Sequence, residues 1–476
     1  MNESVAKPSH VHPVDVVIMA AGKGTRMHSK VPKVLHKLAG RPLLAHVLAA
    51  AQGLLARQVT VITGFDAERV EAALDTFSSD GLDLRLVRQQ PQLGTGHAVQ
   101  QAVPVLADDG VVLVLSGDVP LIRVETLAGL VGACEGKNLA LLTLEVPDPT
   151  GYGRIVRQAQ GVQAIVEHKD ASQEQRLIRE IYSGIMAAPA AWLKTALARL
   201  DNRNAQAEYY LTDVVKLAVA DGMPVVAHQT SSPMEVAGVN SAQQLAELER
   251  WYQGGVAQAL MAQGVRLADP KRIDVRGELL CAQDVFIDVN CVFEGTVRLG
   301  EGVQVGANCV IRNASIAAGA VVHAFSHIEG GSADGKDAVT VGEGALIGPF
   351  ARLRPGARLG AEVHIGNFVE VKNSVLAKGA KANHLAYLGD ATVGERVNYG
   401  AGAITANYDG AAKHQTVIEA DVHVGSNCVL IAPVTLGAGG TIGGGSTITK
   451  DTPPMALTVG RARQVSLANW KRPKKK

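Results

Sequence analysis

The chain runs to 476 residues, more than one hydrophobic core usually organises, so two or more domains are expected. Its 46 Lys+Arg against 45 Asp+Glu leave a formal net charge of +1, which supplies no global field for nucleic acid or an anionic membrane; any anion has to be held locally. No apolar run approaches the ~18 residues of a membrane span, "MNESVAKPSHVHP" lacks a signal-peptide core, and Cys134, Cys281, Cys291, Cys309 and Cys428 show neither CxxC nor zinc spacing, so a soluble, cytoplasmic chain with free thiols is expected.

From Val14 to about Asn240, short apolar runs ("VDVVIM", "VTVIT", "LRLV", "VVLVLS", "LALLTL") alternate with helical patterns such as "PLLAHVLAAAQ". That alternation predicts βα units on a largely parallel sheet, with ligands beyond the carboxyl ends of the strands. The first run leads into "AAGKGTRMHSKVPK", Ala20 to Lys33. Glycines leaving a buried strand let backbone N–H groups approach phosphate oxygens, and Arg26 and Lys33 can neutralise the charge, so a polyphosphate is the expected anion. The loop lacks the GK[ST] of a P-loop ATPase, and a lone glycine loop also fits a plain turn. Asp118 closes the run "VVLVLSGD"; a carboxylate there can hold Mg²⁺ or simply cap a helix.

"SAQQLAELERWYQGGVAQALMAQG", Ser241 to Gly264, opens with Ser241 and Gln244 spaced as a capping box and is read as a linker helix. The expected division is 1–240, 241–264 and 265–476. Beyond about residue 280 a period of six takes over: Val285, Cys291, Val297, Val303, Cys309, Ser315, Val321; then Val341, Ile347, Leu353, Leu359, Ile365, Val371; then Val424, Leu430, Leu436, Ile442, Ile448. Small or aliphatic residues at every sixth position predict a left-handed parallel β-helix, with loops thrown out where the period breaks, at 323–340, 376–392 and 406–423. His384 stands at one such break, where an imidazole is usually just solvated but can serve as a base at neutral pH. The terminal "KRPKKK" reads as a solvated tail.

The run GxGTRM followed by "PK" resembles the signature of sugar-1-phosphate nucleotidyltransferases. "QLGTGHA", "SGDVPL", "DPTGYGRI", "IVEHKDA", "NAQAEYYLTD" and "VAGVN" follow in order, then "IGPFARLRPGA", "GNFVEVKN", "HLAYLGD", "NYGAGAITANYDG" and "VGSNCVLIAPV". Together they resemble the bifunctional N-acetylglucosamine-1-phosphate uridyltransferase and glucosamine-1-phosphate N-acetyltransferase family over almost the entire chain. The resemblance implies a Rossmann-like α/β nucleotidyltransferase domain followed by a hexapeptide β-helix acetyltransferase domain. It also implies Mg²⁺ as cofactor, UTP and acetyl-CoA as substrates, a homotrimer without nucleic acid, and a product feeding peptidoglycan and lipid A synthesis.

By the same resemblance, Met19, Ala20, Ala21, Gly22, Lys33, Gln89, Gly94, Thr95, Ser116, Gly117 and Asp118 hold UTP or its product, and Lys33 and Arg26 stabilise developing charge. Gly153, Glu167 and Tyr182 take the sugar, and Asp118 and Asn240 the metal. Tyr182 stands where the family usually carries Asn, and Ser116 where Tyr is common. In the second half His384 matches the catalytic base, with Glu370 expected to orient its imidazole. Arg354, Lys372, Tyr387 and Asn398 match glucosamine phosphate positions. Ala401, Asn407, Tyr408, Ser426, Gly444 and Arg461 match acetyl-CoA positions, Asn407 also facing the amino sugar. Acyl transfer needs a base and oxyanion donors, while uridylyl transfer needs charge neutralisation and alignment. His384 together with "ANYDG" argues against a pyrophosphorylase whose β-helix only oligomerises.

Overall fold

The computed structural model describes residues 12–77, 81–158, 161–332 and 334–473; the start of the chain and the last three lysines of the basic tail lie outside them. The chain forms two compact units divided between Tyr252 and Gln253.

The first unit is built on a nine-stranded sheet. Along its main path run Val225–Gln229, Leu139–Glu145, Glu180–Pro189, Val111–Ser116, Val14–Met19, Gln58–Thr63 and Leu84–Arg88. All pairs on this path are parallel except the two made by Glu180–Pro189, and the hairpin Arg154–Gln158/Gly161–Val166 joins that strand. "VDVVIM" is the central strand because both of its faces are apolar: Val14, Val16 and Ile18 enter one buried cluster and Val17 the other. Its one acid, Asp15, is buried against Arg57, which donates to both carboxylate oxygens at 2.8 Å. "LRLV" ends up on the sheet's edge, where Arg85 and Leu86 are exposed. Met19 and Ser116 lie opposite each other at the strands' carboxyl ends, which places the loop after Met19 beside the turn carrying Asp118.

The helix Ala242–Ala262 starts at the expected cap: the Gln244 N–H donates to Ser241 Oγ (3.2 Å), and the Gln244 side chain accepts the Asn240 N–H (2.8 Å). Leu248 packs in a cluster with Met27, Leu38, Leu43 and Val239 of the first unit. Later in the helix, Ala257 and Leu260 join the core of the second unit, and the Gln253 amide exchanges two hydrogen bonds with the Val275 backbone (2.8 and 2.9 Å).

The second unit is a parallel β-helix of short strands in long parallel ladders. Two side chains per side point inward, two residues apart, as in Val285/Ile287, Cys291/Phe293 and Val303/Val305. The register differs from the expectation at two places. After the Cys309/Ile311 pair the next buried residues are Ala314, Ile316, Ala320 and Val322, so Ser315 and Val321 lie between inward positions. A bulge between Glu294 and Val297, opposite Arg312 and Ala314, shortens that side by one residue. The stretch 376–392 is not a loop at all. Lys381–His384, Tyr387–Gly389 and Ala391–Val393 continue the coil, Leu359 pairing with Leu376 and Val371 with Leu388, 17 residues on rather than 18. Within 323–340, His327–Glu329 stays in the ladder and the extra chain is confined to residues 330–338; within 406–423 it is confined to residues 407–415.

Two candidate active sites

The first unit holds a cleft of about 470 Å³ whose lining includes Met19, Ala20, Ala21, Gly22, Lys33, Gln89, Gly94, Thr95, Ser116 and Asp118. Its shape follows from the local chain. At φ +58, a side chain on Gly24 would bring Cβ within 2.7 Å of Lys33 Cβ, so only glycine lets the loop pass the lysine stem. A Cβ on Gly94, at φ +106, would meet the Tyr209 carbonyl at 2.6 Å. The Gly117 N–H donates to Met19 O (2.9 Å), joining the two strand ends behind the cleft. Thr95 Oγ1 accepts the Leu211 N–H (3.0 Å), and the Gln89 amide donates to Gly94 O (2.9 Å).

At one end of this cleft the Lys33 ammonium donates to Asp118 Oδ2 and to Asn240 Oδ1 (3.2 Å), and Ser116 Oγ donates to Asp118 Oδ1 (2.6 Å). A carboxylate and an amide oxygen thus converge on one cationic point. Such hard oxygen donors, with substrate phosphates completing the shell, suit a divalent cation. Among the described residues no cluster of three or more His, Cys, Asp or Glu is placed to hold a metal, so this pair is the donor set on offer. Arg26 lies on the exposed turn Thr25–Met27 outside the cleft lining.

Gly153, Glu167 and Tyr182 come together around the hairpin. Gly153 O accepts the Tyr182 N–H (2.9 Å), and a Cβ on Gly153 would lie 3.6 Å from Glu167 Oε1. Glu167 accepts from Thr212 Oγ1 (3.1 Å) and faces a second cavity of about 320 Å³ lined also by Asp170, Asn204, Tyr210 and Asp213. Burial pushes its carboxyl above the usual range, against the Thr212 hydrogen bond. Tyr182 is buried, its hydroxyl has no hydrogen-bond partner among the described residues, and burial and then the Glu167 charge push its phenol upward. Tyr182 therefore lies in the core within reach of the Glu167 charge and outside the cavity lining. The sequence motifs assign no role to Lys23, Gln92 and Glu208, which also line the first cleft; Gln92 ties the two cleft loops together by donating to Ala21 O (2.6 Å).

In the second unit, Asn367, His384, Ala401, Ser426 and Gly444 form one column along an edge of the coil. Asn367 lies opposite His384 in the ladder. Backbone bonds continue the stack: Leu385 N–H to Asn367 O (3.0 Å), Gly402 N–H to His384 O (3.2 Å), Asn427 N–H to Ala401 O (2.8 Å) and Gly445 N–H to Ser426 O (2.8 Å). Arg461 closes the column by donating to Gly444 O (2.7 Å). His384 is exposed, and its Nδ1 bonds Asn367 Oδ1 at 3.0 Å. Glu370 is not the partner of the imidazole; its carboxylate is held by Arg354 (2.7 Å) and Arg352 (3.5 Å).

On the neighbouring ladder Glu370 lies opposite Tyr387, and Lys372 opposite Gly389. Lys413, on the inserted loop, approaches Lys372 and holds its ammonium below the usual lysine range, helped by burial and by Arg354. Arg354, Lys372 and Lys413 thus gather as three cations, a group that suits an anion. Lys413 carries no local motif, and only the fold brings it there. Asn407 donates to Asp390, which also accepts from Asn373 (2.5 Å). Tyr408 is exposed at the start of the loop turn, where Asp409 accepts the Ala411 and Ala412 N–H groups (2.8 and 2.7 Å). Asn398 stands apart, on the ladder Lys381–Asn398–His423.

Residues 16–266 match the MobA-like NTP transferase domain family, and residues 338–373 and 415–450 match the bacterial transferase hexapeptide (six repeats). The chain is 73% identical over 464 residues to the bifunctional protein GlmU of Albidiferax ferrireducens, covering 97% of this chain and 100% of that protein. It is 70% identical to the bifunctional protein GlmU of Polaromonas naphthalenivorans (98% and 99% covered) and 57% identical to that of an Azoarcus species (97% and 100% covered).

Proposed function

The chain belongs to the GlmU family of bifunctional transferases, and from that premise we propose which residues carry each activity. The enzyme acetylates glucosamine 1-phosphate with acetyl-CoA and transfers UMP from UTP to N-acetylglucosamine 1-phosphate, releasing pyrophosphate.

Uridylyl transfer takes place in the cleft of the first unit. Backbone N–H groups from Ala20 to Gly22 cradle the triphosphate, Gln89, Gly94 and Thr95 seat the nucleoside, and Lys33 counters charge that develops on the phosphates. Arg26 serves the same end from the exposed turn once the loop closes on substrate. Asp118 and Asn240 would hold Mg²⁺, which would supply charge neutralisation for the phosphates. Gly153 and Glu167 bind the sugar, with Thr212 holding the Glu167 carboxyl and Tyr182 packed in the core.

Acetyl transfer takes place along the His384 column. Arg354, Lys372 and Tyr387 hold the sugar phosphate, and Asn407 orients the amine. His384 takes the amine proton as the thioester is attacked, and the Tyr408 backbone N–H faces the oxyanion. Acetyl-CoA lies along Ala401, Ser426 and Gly444, capped by Arg461. Glu370 positions Arg354 rather than His384. We further propose a cytoplasmic homotrimer. Phe325, Phe350 and Phe368 stack at 5.1 and 5.3 Å on a coil corner and, with Leu385, remain about half exposed or more, a strip that a second copy would cover. Asn398, remote from Lys372 on its own chain, then completes a neighbour's site.

The observation that carries this reading is the convergence of Lys33, Asp118 and Asn240 at one end of a cleft of about 470 Å³ while His384 stands in a different unit. The test is a paired assay of CoA release and pyrophosphate release. Asp118→Ala should lower pyrophosphate release at least ~100-fold and leave CoA release within about twofold, and His384→Ala should do the reverse. Loss of both activities from either substitution in folded protein would overturn the assignment.

A further inference from the structure

The His384 imidazole is held by an amide where a carboxylate was expected. Its Nδ1 lies 3.0 Å from Asn367 Oδ1, and the two residues face each other across adjacent coils of the ladder. An amide oxygen only accepts hydrogen bonds, so Nδ1 carries a proton, and in the neutral imidazole the lone pair is then on Nε2. The pairing is built into the coil. Asn367 ends the strand His364–Asn367 and His384 ends Lys381–His384, and the next residues, Phe368 and Leu385, both turn the corner with positive φ (58° and 48°). The one-residue shortening of this side, with His384 17 residues after Asn367, keeps the two side chains in step.

We propose that Asn367 is a positioning residue for acetyl transfer: it fixes the tautomer of His384 so that Nε2 faces the amine unprotonated, without adding a negative charge that would keep the imidazole protonated. This rests on the assignment of His384 as the base. The charged surroundings agree with an uncharged orienter. In the ladder His384 has Asn367 above it and Ala401 below; Lys381 and His364 lie three residues back on the same two strands; and Glu370, the first carboxylate after the corner, is engaged by Arg354 and Arg352. A carboxylate at position 367 would form a charge-assisted bond that favours the imidazolium, whereas an amide accepts the same bond without adding charge.

The full-length enzyme is assayed for CoA release as a function of pH, with pyrophosphate release as the internal control. In Asn367→Ala the imidazole loses its orientation; kcat for acetyl transfer should fall about 10- to 100-fold at every pH, with KM for both substrates within about twofold. In Asn367→Asp the acceptor is kept but charged. Its acidic limb should move up by about one pH unit, and above that limb kcat should return to within a fewfold of the wild type. A structural role alone would lower both variants alike with no movement of the limb, and that result would overturn the proposal. His384→Ala separates the two readings: if it keeps acetyl transfer, the base assignment itself fails; if it loses acetyl transfer while both Asn367 variants behave as wild type, only the positioning role fails.

Discussion

Ser116 and Glu167 show how much a single neighbour decides at each site. Asp118 has both carboxylate oxygens occupied, one by Ser116 and the other by Lys33, so its orientation is set before any substrate arrives. Glu167 is the opposite case, a carboxyl partly removed from water with one hydroxyl donor, and burial raises its pKa in the folded chain. The sign of the linkage follows. Below the unfolded value near ~4.5 the group is protonated in both states and costs nothing. As pH rises to the elevated folded value, the unfolded chain ionises first and stability is lost; above that value the loss is constant. Glu167→Gln should therefore unfold at a Tm about 2 °C higher than the wild type near pH 7.5, with the difference vanishing below pH ~4.5, while KM for N-acetylglucosamine 1-phosphate rises about tenfold. Thermal scans across that pH range and a sugar titration check both halves; a Tm advantage that persists in acid would place the effect elsewhere.

At the scale of elements, what could be read in the sequence depended on whether the cause was local. The central strand, the capped helix at Ser241 and the hexapeptide columns each follow from a pattern within a few residues. Ser315 and Val321 were misplaced because a bulge at Glu294–Val297 resets the period from one coil away. The coil at 376–392 reads as a break because 17-residue turns interrupt the count of six, although corner residues such as Asn373, Leu385 and Asp390 absorb the missing residue with positive φ. Lys413 and Asn367 went unrecognised for a similar reason: each meets its partner across coils, and no short motif records that. Gly24 is the reverse, a local requirement plain in the sequence whose cause the structure supplies. Gly24→Ala puts a Cβ on a left-handed backbone and against the Lys33 stem, so pyrophosphate release should drop at least ~10-fold while CoA release is unchanged. Equal loss of both activities would mean that the substitution acts through global folding instead.

For the whole molecule, the proposed assignments make one site complete within its unit and leave the other to be completed by a second copy. Lys33, Asp118, Asn240 and the nucleotide-cleft loops all belong to the first unit and touch one another there. In the second unit Asn398 pairs with Lys381 at the far end of the strand that His384 closes, while the Lys372 cations lie on the adjoining ladder beyond the corner. The exposed corner strip of Phe325, Phe350, Phe368 and Leu385 runs beside the His384 column, so a copy covering that strip would also reach the acetylation site. Acetyl transfer should then depend on assembly and uridylyl transfer should not. Phe350→Glu tests this directly, because position 350 already holds a non-glycine residue at φ 57 and the change adds charge without new backbone strain. Three charges buried at a threefold contact are strongly unfavourable, so sedimentation equilibrium should show a shift from three chains toward one. CoA release should fall in step with the trimer fraction, pyrophosphate release should stay within about twofold, and CoA release should recover as protein concentration is raised. A trimer that persists with full CoA release would mean that the aromatic strip faces solvent in the working enzyme and that the subunits meet elsewhere.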